Sequence, residues 1–312
     1  MWSGSPAVLE QWDVQLMLVF LTSPRSVLSK PERKAFIDAV LCISDPSKNP
    51  SRYTNGEAPG AKSMYDDMLA THINQTLAIH GTGNFFMWHR YFTWIFEKQL
   101  QTQCGYKGTI PYWNWGKYAN DLKNSPIFDG SEYSLGGDGS YVPHDDIVFN
   151  GGVLKMPAGR GGGCITSGPF KSWQINLGPL APQVSQNGTS LIKPNPLPSG
   201  LGYNPRCLRR DLNNWAYAWT NDNQTANVIS ANTDSYWFTT LIQGNFGLSF
   251  TSQDYLGVHA GGHNSVGGDP GGDFFASPGD VSTTYSYREQ KRHKLTEQSL
   301  TFGYTILKWT GF

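Results

Sequence analysis

Five of the seven histidines in this chain fall into two clusters. His72, His80 and His89 follow one another at intervals of 8 and 9 residues, and His259 and His263 stand four apart. A four-residue interval stacks two side chains on one helical face, which suits two ligands of one ion. The first three lie where one helix ends near Gly81 and Gly83 and the next begins, and a hairpin of that kind gathers three imidazoles. Phe85, Phe86, Trp88, Phe92 and Trp94 surround them. Polar rings inside an apolar aromatic wall are destabilising unless something satisfies them, and a metal ion does. Imidazole without thiolate or carboxylate suits copper, zinc, iron or nickel. Ala260, Gly261 and Gly262 separate His259 from His263, so the H-E-x-x-H motif and its general base are absent, which argues against a metalloprotease. His144, beside Asp145 and Asp146, and His293, in a basic run, read as surface imidazoles.

The elements that would carry these side chains are mainly helical. Ser29 and Glu32 form a capping box ahead of a helix over 29–43, with Pro31 in its first turn. Phe36, Ala39, Val40 and Ile43 then recur at helical spacing. Residues 62–79 read as a second helix. Residues 84–103, capped by Asn84, read as a third that is apolar nearly all round and therefore buried. From about 116 to 206, runs such as Gly161-Gly162-Gly163 and Pro194-Asn195-Pro196 mark long loops. Helical pattern resumes over 207–218, 234–244 and 252–261. A helical core wrapped in long irregular connections is expected.

Composition narrows the classes. Among 312 residues, 24 Lys and Arg balance 24 Asp and Glu, and aromatics reach 13%. No basic excess marks a nucleic-acid footprint, and no apolar run approaches the roughly 18–20 residues of a membrane span. Cys42, Cys104, Cys164 and Cys207 fit no zinc or redox spacing, and two disulfides among them would allow three connectivities. The sequons at Asn74, Asn187 and Asn223 favour a secreted glycoprotein. The apolar run Leu16–Leu21, with Glu10 and Asp13 ahead of it, is too short and too acidic for an export signal.

The stretch from Tyr65 to Leu100, then Pro111-Tyr112-Trp113-Asn114-Trp115, Gly202-Tyr203-Asn204-Pro205-Arg206 and Val258 to Asp280, resembles the tyrosinase and catechol oxidase family, specifically its short secreted fungal type. The resemblance covers residues 29–280. It implies an antiparallel four-helix bundle around two copper ions, each held by three histidines, that uses O2 to oxidise phenols or catechols to o-quinones. On that resemblance His72, His80 and His89 match the first ion's ligands, and His259 and His263 match two of the second's. An O2-binding protein of the hemocyanin kind and a noncatalytic copper binder are the alternatives.

Several positions depart from the family pattern. The sixth ligand is expected some two dozen residues after His263, in a Phe-x-x-His-His stretch opening the fourth bundle helix, but Ser286 and Tyr287 stand there. The likeness stops at Val281-Ser282, a pair that a 5′ splice-site consensus can encode, so residues 281–312 form a non-matching tail, read as translated intron or a frame error, with a genuine divergent tail as the alternative. Residues 1–28 form an atypical N-terminal segment. With the fourth helix lost or altered, the chain is expected to bind at most one copper tightly and to have little or no oxidase activity. Ala78 stands where some relatives carry a cysteine linked to the histidine two residues on. Ala260 follows His259 where monophenol-hydroxylating relatives often have asparagine, and Asn264 follows His263 instead. These two substrate-pocket positions favour catechol oxidation over monophenol hydroxylation.

Overall fold

Helices form where local start signals are strongest. In the computed structural model, which describes residues 25–53, 56–118, 120–149, 152–231, 234–244 and 255–284, α1 (Lys30–Ile43) opens on the expected capping box. The Ser29 side chain accepts from the Glu32 N–H, and the Ser29 N–H donates to Glu32 Oε2 at 2.8 Å. A second box, Ser63 with Asp66, starts α2 (Met64–Ile79). The third, α3 (Phe85–Cys104), differs at its start, because Asn84 makes no side-chain cap bond. It ends at Gly105, whose φ of 66° is the left-handed stop that glycine accepts most readily. Phe36, Ile37, Val40 and Ile43 of α1 pack with Phe92, Phe96 and Leu100 of α3 in one core, along with Trp113, Trp115 and Phe128. The Cys42–Cys104 disulfide joins the two helices.

The expected loop region holds four small antiparallel ribbons. β1 (Gly139–Tyr141) pairs with β4 (Gly162–Ile165), and β2 (Ile147–Phe149) with β3 (Leu154–Met156). β5 (Gln174–Ile175) pairs with β8 (Arg206–Cys207), and β6 (Ser185–Gln186) with β7 (Thr189–Ser190). Cys164–Cys207 ties β4 to β8.

The helix expected from 207 is not there. Leu208, Leu212, Ala216 and Trp219 are buried at helix-like intervals, yet residues 208–213 run as a strap hydrogen-bonded on two sides. Arg210 O accepts from Gly162 N and Leu208 O from Ile165 N. On the other side, Arg209, Asp211 and Asn213 N–H groups donate to the carbonyls of Asp269, Val266 and Ser265. Backbone pairing over long sequence distances overrides the local pattern. Helical geometry begins only at Asn214–Ala216 and continues as the single turn Tyr217–Thr220.

Three further helices follow: α4 (Asp222–Ala231), α5 (Ser235–Gln243) and α6 (Val258–Val266). The last begins later than the pattern from 252 suggests. Gly257, at φ 82°, precedes it and lies so close to Gly244 that a Cβ at 257 would sit 2.5 Å from the Gly244 Cα. Beyond α6 the chain is anchored by two ion pairs, Arg206–Asp269 and the wholly buried Arg210–Asp280. Tyr65 Oη donates to Pro278 O at 2.6 Å, fixing this end onto α2. The described chain closes with one helical turn, Val281–Thr284, in which Val281, Ser282 and Thr283 are buried. The segment ahead of residue 25, the tail from 285 with Ser286, Tyr287 and His293, and the expected fourth bundle helix lie outside the described residues. Among the described residues no helix is long and apolar enough to cross a membrane.

Candidate metal centre

The hairpin of α2 and α3 presents the first three imidazoles. His72 lies within α2, His89 within α3, and His80 caps the C-terminus of α2 in extended conformation (φ −114°, ψ 147°). All three are buried, and one ring nitrogen of each lies within 4.8 Å of those of the other two. Each Nδ1 faces a backbone carbonyl: His72 meets Phe275 O at 2.8 Å, His80 meets Thr76 O at 2.9 Å, and His89 meets Phe85 O at 2.7 Å. A carbonyl only accepts, so every Nδ1 carries the proton and every Nε2 keeps its lone pair. The Nε2 of His72 is buried with no hydrogen-bond partner among the described residues.

The second pair arrives from α6. His259 and His263 Nε2 atoms lie 3.0 Å apart, a span that two nitrogens each about 2 Å from one ion can keep. The two groups meet face to face. The His80 and His259 rings stack at 5.6 Å and 20°, and the His89 and His259 rings lie 6.5 Å apart. Phe85 packs between the groups, 4.6 Å from His89 and 4.9 Å from His259. The structure therefore brings all five histidines together.

Burial keeps the five rings neutral. His72 is lowered to about 3, by burial first and by the nearby His80 second, against the pull of the Phe275 carbonyl. His89 and His259 fall well below the ordinary histidine value, again through burial and then neighbouring imidazoles. His80 is lowered by burial, with the Thr76 carbonyl opposing. His263 drops to about 4 through burial and His80, with the Gly271 backbone opposing. Five neutral imidazoles form a ligand set for copper or another imidazole-seeking ion.

A cavity of about 230 Å³ opens onto His80, His259 and His263 and is lined by Phe149, Tyr255 and Phe274 among others. Ala260 and Asn264 both line it. The Asn264 side chain is committed to its surroundings: Nδ2 donates to Ala260 O at 2.7 Å, and Oδ1 accepts from Gln183 at 3.2 Å. Ala78 lies exposed on the outer face of α2. A larger surface recess of about 460 Å³ near Lys34 and Lys171 is lined by none of the clustered histidines.

The structure corrects the reading of His144. Its side chain is only 3% exposed, with Nδ1 on Val142 O at 2.7 Å and Nε2 on Asp211 at 2.9 Å. Sequence spacing also gave no sign of Gln243, Gln183, Tyr255 or Phe274 at the site. Gln243, for instance, meets Gly81 across 162 residues, and no local pattern encodes such a contact.

Comparison with known proteins agrees with this geometry. Residues 62–281 match the common central domain of tyrosinase. The chain is 40% identical to tyrosinase P of Aspergillus terreus over 258 residues, covering 81% of this chain and 68% of that protein. It is 37% identical over 260 residues to the N-acetyl-6-hydroxytryptophan oxidase of Emericella nidulans, covering 81% and 68%. The solved structure of a polyphenol oxidase mutant from Thermothelomyces thermophila superposes with a TM-score of 0.76 at 42% identity, covering 87% of this chain and 68% of that one.

Proposed function

The chain belongs to the tyrosinase family of copper oxidoreductases, and from that premise we propose that its reaction is the oxidation of catechols to o-quinones by O2. Two catechols and one O2 give two quinones and two waters. Bound copper supplies the O2 activation and takes up the substrate's electrons. His72, His80 and His89 are the ligands of the first ion, and His259 and His263 supply two to the second. The Nδ1–H bonds to Phe275, Thr76 and Phe85 hold the first three rings in the tautomer that leaves Nε2 free for metal. Phe149, Tyr255 and Phe274 line an apolar slot for an aromatic ring and exclude water. Ala260 offers no side-chain acceptor for a phenol proton, and the Asn264 amide is already engaged, which supports diphenols over monophenols as substrates.

The gathering of three neutral imidazoles within 4.8 Å carries this reading. The second ion, with two matched imidazoles, is held more loosely, so turnover follows copper supplied in excess. The two disulfides and the sequons at Asn74, Asn187 and Asn223 support a secreted glycoprotein.

Copper analysis and O2 uptake test the assignment together. Expected are about one copper per chain after chelator dialysis and slow quinone formation that rises with added copper. Two tightly retained ions would overturn the weak second site. No quinone at any copper level, with one ion bound, would instead mark a noncatalytic copper binder.

A further inference from the structure

His80 is the triad ligand held least by helical backbone. His72 and His89 sit inside helices, where the backbone is fixed on both sides. His80 has left the helix, and Gly81 after it adopts φ 65°. The next residues, to Asn84, lie largely exposed. Ala78 rules out any covalent tether from that position to the His80 ring. The His80 N–H and Nδ1 both hold to Thr76 O, but neither bond fixes the peptide that follows.

Gln243 does so from the far side of the site. It is the last residue of α5, only 3% exposed, and lines the same cavity as His80. Its Nε2 donates to Thr239 O one turn back at 3.3 Å, which turns its Oε1 outward. That oxygen accepts the Gly81 N–H at 2.7 Å. The base of Gln243 is equally well held. Phe238 of α5 stacks on Phe86 of α3 at 5.3 Å, and Gly244, next in the chain, abuts Gly257 at the start of α6. One carboxamide thus links the peptide after a first-ion ligand to the junction from which His259 projects.

Resting on the copper reading above, we propose that Gln243 is a positioning residue for His80. It holds the Gly81 peptide so that the His80 ring keeps both its place in the triad and its stacking on His259. It is a ligand of neither ion and acts on His80 through the loop.

Two measurements on the whole chain test this. The first needs no variant and no metal: amide exchange in the copper-free protein. The Gly81 N–H is expected to exchange far more slowly than those of Thr82 and Gly83, and equal rates would overturn the proposal. The second compares Gln243→Met, which keeps the length and loses the acceptor, with Gln243→Glu, which keeps an oxygen facing Gly81. Gln243→Met is expected to weaken copper binding at the first site about 10-fold in a chelator competition and to shift the copper(II) paramagnetic resonance spectrum. Gln243→Glu is expected to restore most of both. Equal effects of the two variants, or an unchanged spectrum and affinity in Gln243→Met, would reduce Gln243 to packing. Should the unaltered chain bind no copper, the functional reading falls, and the exchange measurement still decides whether the clamp exists.

Discussion

His144 and the five clustered histidines show how one residue type is driven in opposite directions by its acceptors. At the centre, burial acts on rings whose neighbours are other imidazoles, and all five become weaker bases. At His144 burial pulls the same way, but the Val142 carbonyl and the Asp211 carboxylate outweigh it and raise the value above the ordinary one. Both of those partners accept, so the folded protein favours the imidazolium form, in which both ring nitrogens donate. A base strengthened by folding contributes stability that is complete below its unfolded value, about 6.5, and lost as pH rises through the folded value. His144→Gln is therefore expected to destabilise the protein by about 2–3 kcal/mol near pH 6. That deficit should shrink toward pH 9, and urea unfolding at several pH values reads it directly. A pH-independent deficit would mean the ring is neutral. At the centre, His72→Ala removes a ligand whose Nε2 has no other partner among the described residues. It is expected to lower first-site copper retention by at least about 100-fold, measured by the same chelator competition.

At the scale of elements, the angle of α6 decides whether His259 and His263 face the triad, and glycine sets that angle. A Cβ on Gly262 would lie 2.2 Å from the Trp115 ring, and one on Gly261 would lie 2.9 Å from Thr220 Cγ2. Trp115 is itself 2% exposed and cannot yield without disturbing the core. Gly262→Ala is expected to destabilise by about 1–3 kcal/mol through overpacking and to tilt α6, weakening copper at the second pair more than at the first. Equal loss at both sites would argue against this role for the helix angle. The same comparison shows which elements can be read from sequence. α1 announces itself because Ser29 with Glu32 is a contact made within one turn, and the Ser63–Asp66 box that the structure adds to α2 is equally local. The histidine clusters are legible for the same reason, since a helical hairpin and a four-residue interval are short-range facts. The strap over 208–213 is not legible: its apolar spacing suits a helix, and only Gly162, Val266 and Asp269, far away in sequence, determine that it is extended. Gln243 escapes notice, and His144 reads as a surface ring, because the partners that give them meaning are 162 and 67 residues distant.

The whole molecule divides into a helical half that carries the triad and a loop-rich half that carries the strap, and each has its own disulfide. Cys42–Cys104 spans 62 residues and joins helices already packed through the core, whereas Cys164–Cys207 spans 43 and joins ribbons of two to four residues. On loop-closure entropy alone, both stabilise by about 4 kcal/mol. Their consequences for the site should nonetheless differ. The strap that follows Cys207 pairs with Val266 and Asp269 and, through Arg210, with Asp280, so it is the bed on which the segment after α6 lies. The double substitution Cys164→Ser with Cys207→Ser is expected to open residues 139–200 to limited proteolysis. It should also loosen the His259–His263 pair and leave copper affinity at His72, His80 and His89 within about threefold of the parent. Cys42→Ser with Cys104→Ser should lower global stability without this selectivity. Chelator titration of each variant, followed beside far-ultraviolet circular dichroism, separates the two outcomes. If loss of Cys164–Cys207 releases the first copper as readily as the second, the two halves act as one cooperative unit and the division of labour between them is wrong.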